Sequence, residues 1–261
     1  MGPLAGLGVL VTRPQAQAGP LCRQLESLGA TVSRLPAIEI RPGTPRDTLA
    51  ATIGELQRYA LIVFVSANAV RFGAALLGER RDLLLAAIGP ATLRALNQAG
   101  HRVGILPQGG FDTEALLTHP RLQNLTGQRV LLIKGEGGRE LLEAELERRG
   151  AQLTTVCVYA RHRATLDPAR AATLRDEFAG GTLAVITATS VEIGQGLLAM
   201  AATQPWLQEA FARCHWLVPG ARVATELQAH GLAAPLLVAR SAEDQALLDE
   251  LLRWRASASG A

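Results

Sequence analysis

The sequence predicts an α/β fold made of two similar domains, each built on a parallel sheet. Short apolar runs of the kind that form strands alternate along the chain with segments of helical periodicity, which is typical of parallel sheets connected by helices. One strand–helix pattern occurs twice, so we expect the two domains to resemble each other. Hydrophobic residues make up 48% of the 261 residues, enough to form a core in each domain.

The first predicted strand, residues 7–12, is almost continuously apolar, as expected of a strand covered by helices on both faces. A helix follows Arg13-Pro14 and ends before Gly29, because glycine favours helix C-termini. The other predicted strands are 31–35, 37–41, 61–65, 85–88, 103–106, 129–133, 152–159, 183–186, 216–218 and 236–238. The predicted helices between them are 46–57, 69–77, 90–99, 139–149, 168–178, 191–200, 221–230 and 242–254.

The repeat emerges when the chain is shifted against itself. A shift of 121 residues places residues 9–13 on 130–134, 25–30 on 146–151 and 64–70 on 185–191. A shift of 131 residues then places Gly89 on Gly220 and Gly100 on Gly231. Two related domains predict a ligand site in a cleft between them.

Charge and composition exclude several classes of function. The chain has 26 basic and 23 acidic residues, and only Lys134 is a lysine. The arginines are scattered and aromatic residues are only 4%, so no nucleic-acid surface is predicted. No apolar run approaches the ~18 residues of a membrane helix, and no basic leader is present, which predicts a cytoplasmic protein without a membrane anchor. Cys22, Cys157 and Cys214 form no CxxC pair and are predicted to be small core residues in a reducing compartment.

The sequence also lacks the common metal and cofactor motifs. None of the five histidines belongs to an HExxH motif or to a Cys/His zinc spacing, so no metal is predicted. The glycine-rich segment 134–138 matches neither GxGxxG nor a P-loop, and no GxSxG elbow is present. Neither a nucleotide cofactor nor a hydrolase triad is therefore predicted.

Polar side chains recur where predicted strands end and helices begin. They are Ser66, Asn68, Thr92, Thr187 and Thr189, with Gly135 and Gly220 on related turns. Ligands of parallel sheets bind at the carboxyl ends of strands, where helix N-termini favour anions. Any one of these side chains could equally be an ordinary N-cap. Their recurrence in both halves favours a multiply anionic ligand.

Three further side chains lie near these turns. Tyr159 precedes the basic run Arg161-His-Arg163, and its phenol could donate a proton or pack in the core with its hydroxyl in water. Lys134 takes in one half the place of Arg13 in the other. That equivalence favours anion contact or a strand-end salt bridge over Schiff-base chemistry.

In their order along the chain, several motifs together resemble the uroporphyrinogen-III synthase family. They are VLVTRP at 9–14, FVSANAV at 64–70, AIGPAT at 87–92, LIKGEGGRE at 132–140, RGA at 149–151 and VY at 158–159. The resemblance covers roughly residues 7–253. It implies one domain of residues 1–35 and 167–261, a second domain of residues 42–157, and a two-stranded linker of residues 36–41 and 158–166.

The resemblance also implies an activity. Family members cyclise hydroxymethylbilane, a linear tetrapyrrole with an acetate and a propionate on each pyrrole, to uroporphyrinogen III. Water is lost and the last pyrrole ring is inverted through a spiro intermediate, as a step towards heme, siroheme and cobalamin. The implied enzyme is a hydro-lyase without cofactor and a monomer, and a transient contact with the preceding pathway enzyme is left open.

On this resemblance, Tyr159 is the candidate acid that assists departure of the substrate hydroxyl. Substrate carboxylates would be held by the strand-end side chains and by backbone N–H groups near Gly135 and Gly220, while Arg13 and Lys134 add charge or anchor strands. The second half departs from the family's Gly-Pro-Thr-Thr-like turn, so Arg222 is predicted to make that contact instead. Two alternatives stay open, a nucleotide-using α/β transferase and a non-catalytic two-domain sensor of an anionic small molecule.

Overall fold

A computed structural model describes residues 2–44, 46–54, 56–138 and 140–259. In chain order, its strands are β1 (Gly8–Val11), β2 (Thr31–Arg34), β3 (Ile38–Pro42), β4 (Leu61–Phe64), β5 (Leu85–Ala87), β6 (Arg129–Gly135), β7 (Gln152–Arg163), β8 (Leu183–Thr187), β9 (His215–Pro219) and β10 (Leu236–Ala239). Its α-helices are α1 (Gln15–Ser27), α2 (Arg46–Ile53), α3 (Ala67–Gly73), α4 (Pro90–Gln98), α5 (Thr113–Leu117), α6 (Leu141–Arg148), α7 (Pro168–Ala179), α8 (Val191–Ala202), α9 (Pro205–Arg213), α10 (Gly220–Ala229) and α11 (Asp244–Ser259). Short 3-10 helices lie at Leu56–Arg58, Ala74–Leu77 and Pro120–Leu122.

The chain divides into two units. The first unit combines Met1–Glu39 with His162–Ala261, and the second unit is the continuous segment Ile40–Arg161. The chain passes between the units within the two segments that the family resemblance identifies as the linker. The division falls a few residues away from the predicted domain boundaries on both segments.

The first unit is built on a parallel sheet with the strand order β10-β9-β8-β1-β2. The second unit has the order β3-β7-β6-β4-β5, in which β4, β5, β6 and β7 are parallel and β3 pairs with β7 at the edge. The strands matched by the sequence repeat stand in the same order in both sheets, β9-β8-β1-β2 in one and β5-β4-β6-β7 in the other. The α/β fold with parallel sheets is as predicted.

Helices cover both faces of the second sheet, as the burial of alternate residues on β4 shows. On β4, Ile62 and Phe64 belong to one core cluster, whereas Leu61 and Val63 belong to another. All four side chains are buried. Because alternate residues of a strand face opposite sides, both faces of the strand are covered by apolar side chains.

The structure corrects several predicted elements. The segment predicted as a strand at 103–106 contributes only an isolated bridge between Ile105 and Ala86. Pro107 follows and has no N–H to donate, which limits further pairing. The predicted helices 46–57 and 69–77 are shorter than expected, and each is followed by a 3-10 helix.

Two helices were missed because their sequence signals are short. Helix α5 has five residues, too few for a helical period to show. Helix α9 begins at Pro205, with only two residues between it and the end of α8, so no long loop separates the two helices in the sequence. Glu55, inside the predicted helix 46–57, and Arg139, at the predicted start of another, lie outside the described residues. In the described part of the chain, no helix combines the length and the apolar composition needed to cross a membrane.

Candidate functional site

Tyr159 lies on β7 beside the last residue of β6. The pairing of β6 with β7 shifts there by one residue, since Lys134 pairs with Cys157 but Gly135 pairs with Tyr159. This bulge places the Tyr159 ring directly against Gly135, where a methyl group on Gly135 would lie 2.4 Å from the ring carbon Cζ. Only glycine leaves room for the ring in this position, because any β-carbon would overlap it.

Tyr159 is 2% exposed, and in the described part of the chain its hydroxyl has two polar neighbours. The Ser66 hydroxyl lies 3.1 Å from the phenol oxygen, and the Arg161 Nη2 group donates to that oxygen over 3.4 Å. The Arg161 guanidinium also lies 5.7 Å from the centre of the Tyr159 ring, within the range of a cation–π contact. The phenol therefore meets one hydroxyl and one cation.

Helix α3, which follows β4, contributes two of the groups around Tyr159. Ser66 is its N-cap, and the Ser66 Oγ accepts the Ala69 N–H over 3.0 Å. Near the end of the same helix, Phe72 stacks on Tyr159 with ring centres 6.1 Å apart and an angle of 27° between the planes. One short helix thus fixes both the hydroxyl beside the phenol and the ring that packs on it.

Tyr159 lines a cleft of about 280 Å³ within the second unit. Its walls come mainly from the glycine-rich segment that follows β6 and from the starts of α5 and α6, with Tyr159 and Arg161 from β7. Gly137 and Gly138 have positive φ angles of 68° and 91°, so this turn depends on glycine. The predicted ligand cleft between two domains stays a prediction.

The polar lining of the cleft is mixed in charge. Among the described residues, the cleft is lined by two cations, Lys134 and Arg161, and by the carboxylates of Asp112, Glu114, Glu136 and Glu143. Lys134 forms a salt bridge with Glu143, so its charge is largely neutralised inside the protein. Asp112 accepts the Ala115 N–H over 2.7 Å as the N-cap of α5.

The pKa of the Cys157 thiol is affected by charged residues of both signs from the same cleft. Burial raises the pKa of its thiol, the positive charge of Lys134 opposes that rise, and Glu136 and Glu143 add to it. Its sulfur lies 3.9 Å from the Gly135 carbonyl oxygen. Cys157 is half-buried, whereas Cys22 and Cys214 are buried as predicted.

In the first unit, the predicted site residue Arg13 is tied to its neighbours. It forms a salt bridge with Asp244 at the start of α11 and donates to the Ala242 carbonyl over 2.6 Å. Its Nε group also donates to the Thr189 hydroxyl over 3.3 Å. These contacts support the anchoring role for Arg13, and they give Thr189 an internal partner.

Thr187 joins two strands of the first sheet. Its hydroxyl accepts the Thr12 N–H over 3.3 Å and donates to the Leu10 carbonyl over 3.4 Å, and the residue is 1% exposed. The Thr12 hydroxyl in turn donates to the Thr187 carbonyl. These bonds fix the ends of β1 and β8 to each other.

The structure also corrects one alignment in the repeat. Leu61 pairs with Val130, and Val185 pairs with Val9, the residue that the repeat matches to Val130. Strand β4 therefore corresponds to β8 with a shift of 124 residues rather than 121. The counterpart of Ser66 is consequently Ser190, rather than Thr187.

The conformations of the two serines agree with this correction. Ser66 has φ −158° and ψ 162°, and Ser190 has φ −158° and ψ 163°. Ser190 caps α8 by accepting the Ile193 N–H over 3.2 Å. The 121-residue shift missed Ser190 because the chain has three more residues between β6 and β8 than between β1 and β4.

The other predicted residues occupy the first turns of helices. Asn68 is half-buried on α3, and Thr92 is buried on α4. Gly220 begins α10 with a φ of 73°, and Arg222 is exposed on the same turn. The structure brings together Ser66, Lys134, Gly135 and Tyr159 in the second unit, and Arg13, Thr187 and Thr189 in the first.

Arg161 and Phe72 were also missed as site residues. Arg161 could have been found, because alternate residues of a strand share a face and Arg161 follows Tyr159 by two positions. Phe72 carries no such signal, since its contact with Tyr159 joins two elements far apart in sequence.

Comparisons with known proteins identify the family. A family model described as "Uroporphyrinogen-III synthase HemD" matches residues 20–249. Uroporphyrinogen-III synthase of Escherichia coli K12 is 32% identical over 251 residues, which cover 94% of this chain and all of that protein. The synthase of Salmonella typhimurium LT2 is 34% identical over the same length and share of both chains.

A solved structure shows the same fold. The uroporphyrinogen-III synthetase of Helicobacter pylori matches with a TM-score of 0.60 at 14% identity, over 95% of this chain and 99% of the other. The family model spans most of the sequence, and the Escherichia coli and Salmonella relatives are covered over their full length. The chain therefore belongs to the uroporphyrinogen-III synthase family.

Proposed function

We propose that the chain converts hydroxymethylbilane to uroporphyrinogen III, as a hydro-lyase whose acid is Tyr159. The observation that carries the proposal is the buried Tyr159 phenol at the cleft, held between Ser66 and Arg161. A phenol is a proton donor at neutral pH, and the reaction begins when a hydroxyl group leaves the first pyrrole. Family membership supports the choice of substrate.

The reaction has three steps in this proposal. Tyr159 gives its proton to the departing hydroxyl, the carbon–oxygen bond breaks, and water and an electrophilic methylene result. The substituted carbon of the last pyrrole then attacks the methylene to give the spiro intermediate. Fragmentation and reclosure at the unsubstituted carbon invert that ring, and the proton lost from that carbon restores the Tyr159 hydroxyl, so the net change is loss of one water.

Selectivity is the main demand on the enzyme. Attack by the unsubstituted carbon of the last pyrrole proceeds without an enzyme and gives isomer I. Each tenfold preference for isomer III requires about 1.4 kcal/mol between the two transition states. Holding the two ends of a flexible ligand in place can supply several kcal/mol.

Contacts with the substrate carboxylates would come from several groups. Ser66 offers a hydroxyl beside the phenol. Asn68 and Thr92 on the first turns of α3 and α4 remain proposed contacts, as do Gly220 and Arg222 in the first unit. We leave Thr187 and Arg13 out of this set, because their polar atoms bond within the first unit.

The test uses freshly prepared hydroxymethylbilane and measures the ratio of isomers III and I by chromatography after oxidation. The proposal expects nearly all isomer III from the wild type. Replacing Tyr159→Phe removes the proton and keeps the ring that packs on Phe72, so turnover should fall by about 10²-fold or more.

Tyr59→Phe is the matched control, since it removes the only other phenol, which hydrogen-bonds to Thr154 rather than lining the cleft. Its turnover should equal that of the wild type. Product with the spontaneous isomer ratio from the wild type would refute the function, whereas full turnover by Tyr159→Phe would refute only the role of Tyr159.

A further inference from the structure

Arg161 has no role in the proposed reaction beyond its charge, yet it makes a specific contact. Its Nη2 group lies 3.4 Å from the Tyr159 oxygen and its guanidinium lies against the Tyr159 ring. Tyr159 and Arg161 are two positions apart on β7, so the strand itself sets both side chains on one face. The contact is therefore built into the strand and does not depend on a flexible loop.

The donors and acceptors around the phenol restrict where its proton can point. A guanidinium can only donate, so Arg161 occupies one acceptor position of the phenol oxygen. The Ser66 oxygen accepts the Ala69 N–H and lies 3.1 Å from the phenol oxygen, and either hydroxyl can be the donor between them. When Ser66 is the donor, both acceptor positions of the phenol oxygen are filled, and the phenol proton points away from both groups.

We propose that Arg161 is a positioning residue that, together with Ser66, turns the phenolic proton of Tyr159 into the cleft. Without the guanidinium, the phenol can donate to the Ser66 oxygen instead, and its proton is then held by the protein. This inference rests on the proposed function, in which Tyr159 is the acid. It differs from a role for Arg161 in binding a substrate carboxylate, which would affect substrate affinity.

Steady-state kinetics separate the two roles. Arg161→Met keeps much of the apolar stem and removes the donor, so we expect kcat to fall about tenfold, the effect of one charge-assisted hydrogen bond. KM should stay within about twofold, because the ground-state contacts are unchanged. Arg161→Lys retains a donor and should recover part of kcat.

Arg163→Met is the matched control. It removes the same charge from the same strand, and Arg163 is exposed and does not line the cleft. Its kcat and KM should equal those of the wild type. An unchanged kcat in Arg161→Met, or a raised KM with normal kcat, would overturn the positioning role.

A second measurement needs no substrate and therefore stands even if the proposed function fails. The chain has two tyrosines, so labelling tyrosine with ¹³C at Cζ gives two NMR signals, and Tyr59→Phe assigns them. The Cζ shift responds to hydrogen bonding at the phenol oxygen. Arg161→Met should move the Tyr159 signal and leave that of Tyr59 in place, while Arg163→Met moves neither. A Tyr159 signal that stays in place in Arg161→Met would contradict the proposed contact.

Discussion

At the scale of single residues, the closest packing in the candidate site is that of Gly135 against Tyr159. The sequence predicted Gly135 as part of an anion-binding turn, with backbone N–H groups nearby. In the structure the neighbouring Glu136 N–H donates to the Tyr159 carbonyl over 2.8 Å, so this N–H group forms part of the pairing between β6 and β7. The glycine is needed because the ring occupies the space of a side chain.

This packing leads to a prediction for Gly135→Ala. The new methyl group would lie 2.4 Å from Cζ and 2.5 Å from Cε2 of Tyr159, so the ring must move. We expect turnover to fall by about 10²-fold, as for a catalytic group displaced by about 1 Å, and the free energy of unfolding to fall by about 1–3 kcal/mol. Isomer assays and denaturant titration measure the two effects.

Gly89→Ala provides the comparison. Gly89 has φ −141°, and a β-carbon there would meet no atom within 4 Å. Its activity and stability should stay close to those of the wild type. Equal activity of Gly135→Ala and Gly89→Ala would show that the position of the ring is not important for the reaction.

The sequence placed candidate residues in one cleft where neighbouring segments carry the signal, and their roles stay predictions. Tyr159, Lys134 and Gly135 were predicted from adjacent segments, and they line one cleft. Phe72 and Ser190 were missed because their places depend on packing and on the exact start of a helix. Neither is encoded in local sequence periodicity.

At the scale of secondary-structure elements, Arg13 connects the end of β1 to α11. Arg13 and Asp244 are mostly buried, with 13% and 23% of their side chains exposed. Their salt bridge joins segments that are 231 residues apart in the chain. The sequence left open whether Arg13 anchors a strand end or contacts an anion, and this geometry favours the anchor.

We therefore expect Arg13→Ala to lower the free energy of unfolding by about 1.5–3 kcal/mol, the range for hydrogen bonds to charged groups. KM for hydroxymethylbilane should not change. Denaturant unfolding and steady-state kinetics on the same preparation check both parts. A large increase in KM with normal stability would instead show that Arg13 contacts the substrate.

Arg240→Ala is a suitable control for this prediction. Arg240 also pairs with a carboxylate of α11, that of Asp249, but its side chain is 73% exposed. Exposed pairs of this kind contribute ~0–1 kcal/mol. The difference in the free energy of unfolding between Arg13→Ala and Arg240→Ala thus measures how much burial strengthens a salt bridge to α11.

The order of elements was largely predictable from the sequence, and their ends were not. Apolar runs predicted the inner strands β1, β4, β6 and β8 most clearly, because strands covered on both faces must be apolar throughout. The segment around Ile105 was wrongly predicted as a strand, since apolar composition alone does not supply hydrogen-bonding partners. Helix α5 is too short for periodicity to reveal it.

At the scale of the whole molecule, His101 is expected to make stability depend on pH. It is buried, and the Arg81 guanidinium lies 3.5 Å from its Nδ1 atom. Burial lowers the pKa of His101 from its ordinary value of 6.5, and Arg81 lowers it further. The unfolded chain therefore binds the proton more readily than the folded chain, so stability is present above pH 6.5 and is lost as the pH falls below it.

The measurement is the free energy of unfolding at about pH 7.5 and about pH 5.5, on either side of the histidine titration. The wild type should lose more stability over this interval than His101→Gln, which has no titrating ring. Asp82 and Glu145 each have a pKa lowered to about 2 by an arginine hydrogen bond. Their stabilisation is present throughout this interval and is lost only at lower pH. His162→Gln, at an exposed position, should behave as the wild type, and identical pH profiles for all three proteins would rule out His101 as the cause.

The two-unit architecture has a consequence for how the chain is made. Strand β1 pairs with β8, and the hydrogen bond between Thr12 and Thr187 spans 175 positions of sequence. On a translating ribosome, the continuous second unit emerges in full before β8 does. Strands β1 and β2 must therefore wait, without their central neighbour, until β8 has left the exit tunnel.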